Sequence, residues 1–261
     1  MEWNVVQTLI WLALGAVAGS AANAIIDRLP RRESWLTGRS HCDECGHVLG
    51  VWDLVPVLSY VFLRGRCRYC HSPIKRRNLW VEVVMAIGFA LIFNFETSFA
   101  LREQFSIFNQ ISILNVLILQ TIFWVTVVIA VMDWETMLVS DWLVGAWAIL
   151  AVLSIKYQVS SIYGLLVGIG VIGGLWILTK KRGMGDGDIG IAAVMGYWLG
   201  WPRVAPALWV AFVAGAAYGL WLLAFGKKTM KSKIAFGPWL ILGAWIGYVW
   251  GDKIIKYVFH T

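Results

Sequence analysis

Apolar stretches long enough to cross a hydrocarbon layer recur along this 261-residue chain from one end to the other. No motif restricts the fold as much. A span needs roughly 18 to 20 consecutive, mostly apolar residues. Inside lipid its backbone N–H and C=O groups must pair within the segment, which favours helices. The composition agrees, with 59% hydrophobic and only 14% charged residues, against about 25% charged in a soluble domain. The pattern predicts an all-α polytopic membrane protein with about eight transmembrane helices, at about 4–27, 79–96, 113–132, 142–158, 161–179, 189–202, 205–226 and 236–251, the sixth being short. The first apolar run, from Val5 to Ile26, lacks a basic region before it, so it reads as a retained helix and not as a cleaved signal.

One long polar insertion interrupts the helices, at residues 28–78, and it is too charged to lie in lipid. The chain therefore divides into a first transmembrane helix at 1–27, a small polar domain at 28–78, and a helical membrane domain at 79–261. Basic residues orient the whole. With eight helices, Arg28, Arg31, Arg32, Arg39, Arg64, Arg66, Arg68, Lys75, Arg76 and Arg77 share one side with Lys180, Lys181, Arg182, Lys227, Lys228, Lys231 and Lys233. That is 17 of the 22 Lys and Arg residues. Arg102, Lys156, Arg203, Lys253 and Lys256 fall on the other side. The positive-inside rule then predicts a cytoplasmic polar domain and both termini outside. It also accounts for the net charge of +7 without nucleic acid as a partner.

Acidic residues at the ends of spanning helices are costly unless they face a polar cavity, so each is a functional candidate. Asp133 closes the third helix in AVMDWETMLVSD, and Asp188 opens the sixth in RGMGDGDIGIAAVMG. The topology puts both at the same membrane boundary, where they can meet. Two adjacent carboxylates cannot both ionise; one keeps a proton while the other activates water, which is the chemistry of amide hydrolysis. Gly183, Gly185 and Gly187 would let backbone approach closely beside the second acid and adopt φ values closed to other residues. Spacing alone leaves alternatives open. The glycines also describe a flexible interhelical loop with solvated acids, and Asp186 competes with Asp188 as the acid of a GxGD pattern. Glu135 and Asp141 read as solvated or helix-capping groups.

HCDEC and RCRYC supply the only cysteines, Cys42, Cys45, Cys67 and Cys70, as two C-x2-C pairs separated by 21 residues. This spacing suits a four-thiolate structural zinc site. A reducing cytosol argues against two disulfides, and about 50 residues with few aliphatic positions need a staple. A redox pair or free thiols are the alternatives. His41, His47 and His71 adjoin the thiols and could replace one, but four sulfurs already close the site. No internal repeat is evident in the sequence.

These segments together resemble the bacterial type IV prepilin peptidases, the GxGD membrane aspartyl proteases that act as leader peptidase and N-methyltransferase. GSAANAIIDRLP is similar to the family's GSFLNVVIYRLP type of segment. SHCDECGHVL, DLVPVLSYVFLRGRCRYCHSPI and Val81-Glu82-Val83 follow it. MDWETMLVSD resembles the first catalytic segment, GMGDGDIGIAAVMGYWLGW the GxGD segment, and AFGPWLILGAW the terminal helix. The resemblance implies catalytic acids at Asp133 and Asp188, selecting Asp188 over Asp186. It implies removal of a basic leader from type IV prepilins or pseudopilins at the cytoplasmic face of the inner membrane. It further implies N-methylation with S-adenosylmethionine as donor, for which the sequence marks no binding residues. Three positions depart from the family pattern: Ser140 and Ala235 replace prolines, and Gly190 replaces a lysine. Two other classes compete. A transporter would place its acids near the bilayer midplane, and a zinc-bearing scaffold would not need the aspartates at all.

Overall fold

A computed structural model describes residues 2–34, 38–102, 109–154, 159–180, 185–226 and 234–259. Among them there is no named strand, and the α-helices are α1 (Glu2–Arg28), the short α2 (Leu58–Phe62), α3 (Arg76–Arg102), α4 (Asn109–Thr136), α5 (Asp141–Ser154), α6 (Val159–Leu178), α7 (Asp186–Leu199), α8 (Val204–Ala224) and α9 (Gly237–Phe259). Eight of these match the eight expected helices one for one. Five, namely α1, α3, α4, α6 and α8, are long and apolar enough to cross a membrane by themselves. α5 and α7 have 14 residues each, about 21 Å at 1.5 Å per residue. Their length is less than the roughly 30 Å of hydrocarbon. The expectation on Gly183 lies outside the described residues, as do those on Lys156, Lys181, Arg182 and the four lysines between 227 and 233.

The surface explains why these helices need lipid. Leu9, Ile10, Leu14, Trp209 and Leu220 are all exposed, and apolar faces of this extent are not tolerated in water. Lipid gives helices no hydrophobic reason to associate, so contacts depend on close backbone approach at small residues. Two compact units use this device, Met1–Trp124 and Val125–Thr261, with α4 contributing to each.

In the first unit, Gly15 and Gly19 of α1 press against the backbone of α3. A Cβ at Gly19 would stand 2.6 Å from the Glu82 Cα, and one at Gly15 would strike the Met85 carbonyl. The first part of α4 is fixed by polar groups: the Gln120 amide donates to the Phe89 carbonyl at 3.1 Å and the Trp124 indole N–H to the Ala18 carbonyl at 2.8 Å.

In the second unit α7 packs against α5, α6 and α9. Gly164 and Gly168 of α6 face α7 so closely that a Cβ would strike the carbonyls of Gly196 and Ala192. Replacing Gly168 by leucine should therefore push α6 off α7. The expected loss is about 1–3 kcal/mol or more, visible as a lowered thermal midpoint of the detergent-solubilised protein.

The polar insertion holds a repeat that the sequence hides. The Cys42 N–H bonds the His47 carbonyl and the Cys67 N–H bonds the Ser72 carbonyl, at 3.0 and 2.9 Å. Gly46 and His71 donate back to Cys42 and Cys67, and Leu49 and Ile74 close the turns onto Ser40 and Gly65. Isolated bridges pair His41 with Val48 and Arg66 with Pro73. The two copies of one ten-residue turn share little beyond their cysteines, since hydrogen bonding by backbone groups asks little of the side chains. Even the left-handed position differs, Gly46 at φ 67° in one copy and His71 at φ 59° in the other.

Candidate active site

Asp133 lies in the last turn of α4. The helix stops there because Met137 turns left-handed, at φ 55°, and its N–H bonds the Asp133 carbonyl at 2.9 Å. Asp188 lies in the first turn of α7, three residues after Gly185. Its Oδ2 accepts the Gly185 N–H at 3.2 Å, as the acid of a capping box does. Both side chains are withdrawn from solvent, at 4% exposure for Asp133 and 5% for Asp188. The Asp133 carboxylate is close enough to act electrostatically on Asp188.

The other acids separate from this pair. Asp186, Glu135 and Asp141 are all exposed. Among the described residues Asp186 accepts the adjacent Gly187 N–H at 3.1 Å, and Asp141 stands in the first turn of α5.

A further group at the pair was not singled out from sequence. The N–H of Gly237, the first residue of α9, donates to Asp133 Oδ2 at 2.9 Å. Each carboxylate thus receives an N–H from the start of a helix, where the backbone offers unpaired donors and positive dipole. Gly237 must be glycine for reasons of space. A Cβ there would lie 2.7 Å from Asp133 Oδ2 and 3.1 Å from Ile191 Cδ1. Its signal in the sequence was the AFGPW segment, legible as a pattern but not as a donor.

The flanking glycines act differently from expectation. Gly185 has φ −73°, open to any residue. Gly187 is needed for close approach, because a Cβ would stand 2.6 Å from Val139 Cβ. Gly190 faces Val144 of α5 with room for an ordinary methyl contact, at 3.5 Å. Ser140 starts α5 without a proline, its carbonyl accepting from Leu143 and Val144. Chemically, two buried carboxylates brought near each other can hold one proton between them and orient a water for attack on an amide.

The second candidate centre is the cysteine cluster of the first unit. The four Sγ atoms lie within 4.8 Å of one another, and Cys42 and Cys70 are 3.8 Å apart. A tetrahedron with Zn–S bonds of about 2.3 Å has S···S edges of about 3.8 Å. The set can hold zinc, and its electrostatics ask for a cation. The N–H groups of Cys45 and Glu44 pull the Cys42 thiol down to about 6. At Cys45 the His47 N–H favours the thiolate, but desolvation and the Cys70 and Cys42 sulfurs outweigh it and push the thiol up to about 11. Four thiolates cannot coexist there without positive charge among them. No histidine joins the cluster among the described residues. His47 instead stacks on Tyr69, ring centroids 3.6 Å apart.

Asp53 ties the two turns together. It accepts from Arg68 at 2.6 Å, Gly50 N–H at 3.1 Å and Tyr69 at 3.3 Å. Desolvation disfavours its charge, yet the Gly50 N–H and the Arg68 guanidinium outweigh this and hold the carboxyl below its usual range.

Comparison with known proteins places these features. The family model described as the bacterial peptidase A24 N-terminal domain matches residues 13–95, and that of the type IV leader peptidase family matches residues 120–220. A "Prepilin leader peptidase/N-methyltransferase" of Pseudomonas putida is 30% identical over 276 residues, covering 92% of this chain and 90% of that one. Proteins of the same description from Burkholderia pseudomallei and Aeromonas hydrophila are each 31% identical. They cover 91% and 84% of this chain, and 83% and 74% of their own. No solved structure matches.

Proposed function

The chain belongs to the prepilin leader peptidase/N-methyltransferase family, and from that premise we propose that it removes the basic leader of type IV prepilins or pseudopilins and N-methylates the residue exposed. The observation that carries the peptidase reading is the burial of Asp133 and Asp188 together, each with one helix-terminal N–H. One carboxylate takes a proton from a water between them and the other gives a proton to the scissile carbonyl. The water attacks directly, so no covalent intermediate forms. Gly237 and Gly185 fix the carboxylates, while Asp186, exposed two residues before Asp188, attracts the basic leader.

In this reading residues 1–27 form the first transmembrane helix, 28–78 a cytoplasmic four-cysteine domain held by structural zinc, and 79–261 the peptidase helices. The protein resides in the inner membrane with both termini outside, and cleavage occurs at the cytoplasmic face. S-adenosylmethionine, when bound, supplies an electrophilic methyl on a sulfonium.

Co-expression with a prepilin, followed by mass measurement of the pilin N-terminus, tests the proposal. A shortened product carrying one added methyl is expected. An uncut prepilin would refute the peptidase reading, and a cut but unmethylated one would refute only the second activity.

Gly237→Ala supplies a narrower test. Its Cβ would displace the Asp133 carboxylate, and misplacement on the order of 1 Å costs about 100-fold in rate. Cleavage should fall by about that factor while the protein still inserts.

A further inference from the structure

Five apolar side chains of the polar insertion serve neither the cysteine turns nor the carboxylate pair. Val51 and Trp52, in a single 3-10 turn, and Leu58, Val61 and Phe62, in α2, are 55% to 81% exposed. The turn and α2 pack together. Residues at i, i+3 and i+4 share one face of a helix, so Leu58, Val61 and Phe62 form one stripe. The opposite face looks inward: Ser59, Tyr60 and Leu63 line a cavity beside Cys42 and Cys67. The helix is thus amphipathic, and the rest of the first unit leaves its apolar side bare. A cluster of large apolar groups of this kind marks a surface that something covers.

The level at which α2 sits bears on what covers it. Its start is tied to α3, where the Val57 N–H donates to Glu82 Oε2 at 2.7 Å. Val57 holds φ 61°, rare for a β-branched residue, so the surrounding contacts fix that turn. Glu82 lies six residues beyond Arg76, the start of α3, about 9 Å along the axis at 1.5 Å per residue. It falls within Arg76–Thr97, a stretch long and apolar enough to cross a membrane. Trp80, exposed two residues before it, is the kind of side chain that collects at the headgroup level. The start of α2 is therefore held at that level, not out in the aqueous phase.

Charge identifies the partner. Residues 28–78 carry ten Lys and Arg against four Asp and Glu, a net +6. Arg64 and Arg66 follow α2 directly, both exposed, and neither forms an ion pair among the described residues. An apolar face rimmed by such cations suits anionic headgroups over acyl chains. It does not suit the basic leader of a prepilin, nor a second copy of this chain, since either would set like charges against the rim.

We propose that Val51, Trp52, Leu58, Val61 and Phe62 sink into the boundary between headgroups and acyl chains of the leaflet where α1 and α3 end, with Arg64 and Arg66 on anionic lipid. The insertion then has a third attachment to the bilayer besides the two helices that flank it. Because the inner face of α2 lines the cavity at the cysteine turns, lipid on its outer face sets their orientation at the membrane. The inference needs only that α1 and α3 cross a membrane, and it rests on neither enzymatic activity.

The test places p-benzoylphenylalanine at position 62 of the full chain, reconstituted in vesicles of phosphatidylethanolamine and phosphatidylglycerol, and reads the mass of what light attaches to it. Phe62 is exposed and the probe keeps its ring, so the fold is undisturbed; the same probe in place of Trp52 supplies a second position. Lipid adducts should dominate at both. With Arg64→Gln and Arg66→Gln together, the ratio of phosphatidylglycerol to phosphatidylethanolamine adducts should fall severalfold, since each basic side chain near the surface favours anionic lipid by about fivefold. Cross-links to residues 125–261, to a second chain or to an added prepilin, in place of lipid, overturn the proposal, as does the absence of any adduct. A ratio unchanged by the double variant overturns the part given to the arginines. The readout is independent of cleavage and methylation, so its failure leaves the enzymatic reading standing, and a parent chain without activity leaves this inference standing.

Discussion

Cys67→Ser is expected to strip the protein of zinc and to open its polar domain. Cys67 is the buried member of the four, at 4% exposure, and its sulfur belongs to the second of two turns that meet at the cluster. A structural zinc contributes about 10–16 kcal/mol of folding free energy in small domains, more than the total stability of most domains. The ties that remain are largely polar and partly exposed: the Asp53 contacts to Arg68 and Tyr69, the ring contact of Tyr69 with His47, the ion pairs of Arg31 and Lys75 with Asp43 and of Lys75 with Asp27, and the Val57 N–H bond to Glu82. They are not enough to hold a segment of this size. Metal analysis of the purified variant should fall from about one zinc per chain to background, as four-sulfur sites bind a single ion. Limited proteolysis should then cut between residues 40 and 74. Full zinc content in Cys67→Ser would mean that the ligand set is wrong.

The same domain shows how far a sequence can be read. The thiol spacing alone marked the four cysteines, whose sulfurs the fold brings within 4.8 Å of one another. The repeated turn behind them was invisible, since main-chain hydrogen bonds build it and Gly46 and His71 serve the same left-handed position. Helix positions were legible from the apolar runs, but the number that span was not, since only five are long and apolar enough by themselves and α5 and α7 have 14 residues each. Packing was less so. Gly164 and Gly168 read as ordinary glycines until α7 was seen to press on them. At the candidate site, Asp133 and Asp188 stood out because acids are rare in apolar surroundings. Gly237 did not, as a backbone N–H leaves no trace in the residue type.

The departures from the family pattern can be placed too. Gly190 lies beside Val144 in an apolar contact, so no cation accompanies Asp188 from that position. Ser140 begins α5 through its carbonyl, which a proline would also provide.

The largest effect is expected at the carboxylate pair. Asp188→Asn keeps the side chain's size and an oxygen for the Gly185 N–H, so α7 should start as before. It removes the group proposed to share a proton with Asp133, and hydrolysis without it should fall by on the order of 10⁴-fold, the upper end of what a positioned acid or base contributes. Asp133→Asn should do the same, since residues acting as a unit each cost nearly the whole effect. Asp186, exposed and bonded to its neighbour's N–H, is the control. Its loss removes one surface charge near the leader and should cost less than about tenfold, as exposed charges contribute little.

The decisive measurement is therefore the rate of prepilin cleavage by purified Asp186→Asn and Asp188→Asn, side by side in detergent. The account predicts mature pilin from the first and none above background from the second. Mature pilin from Asp188→Asn at a rate near that of the parent chain would contradict it.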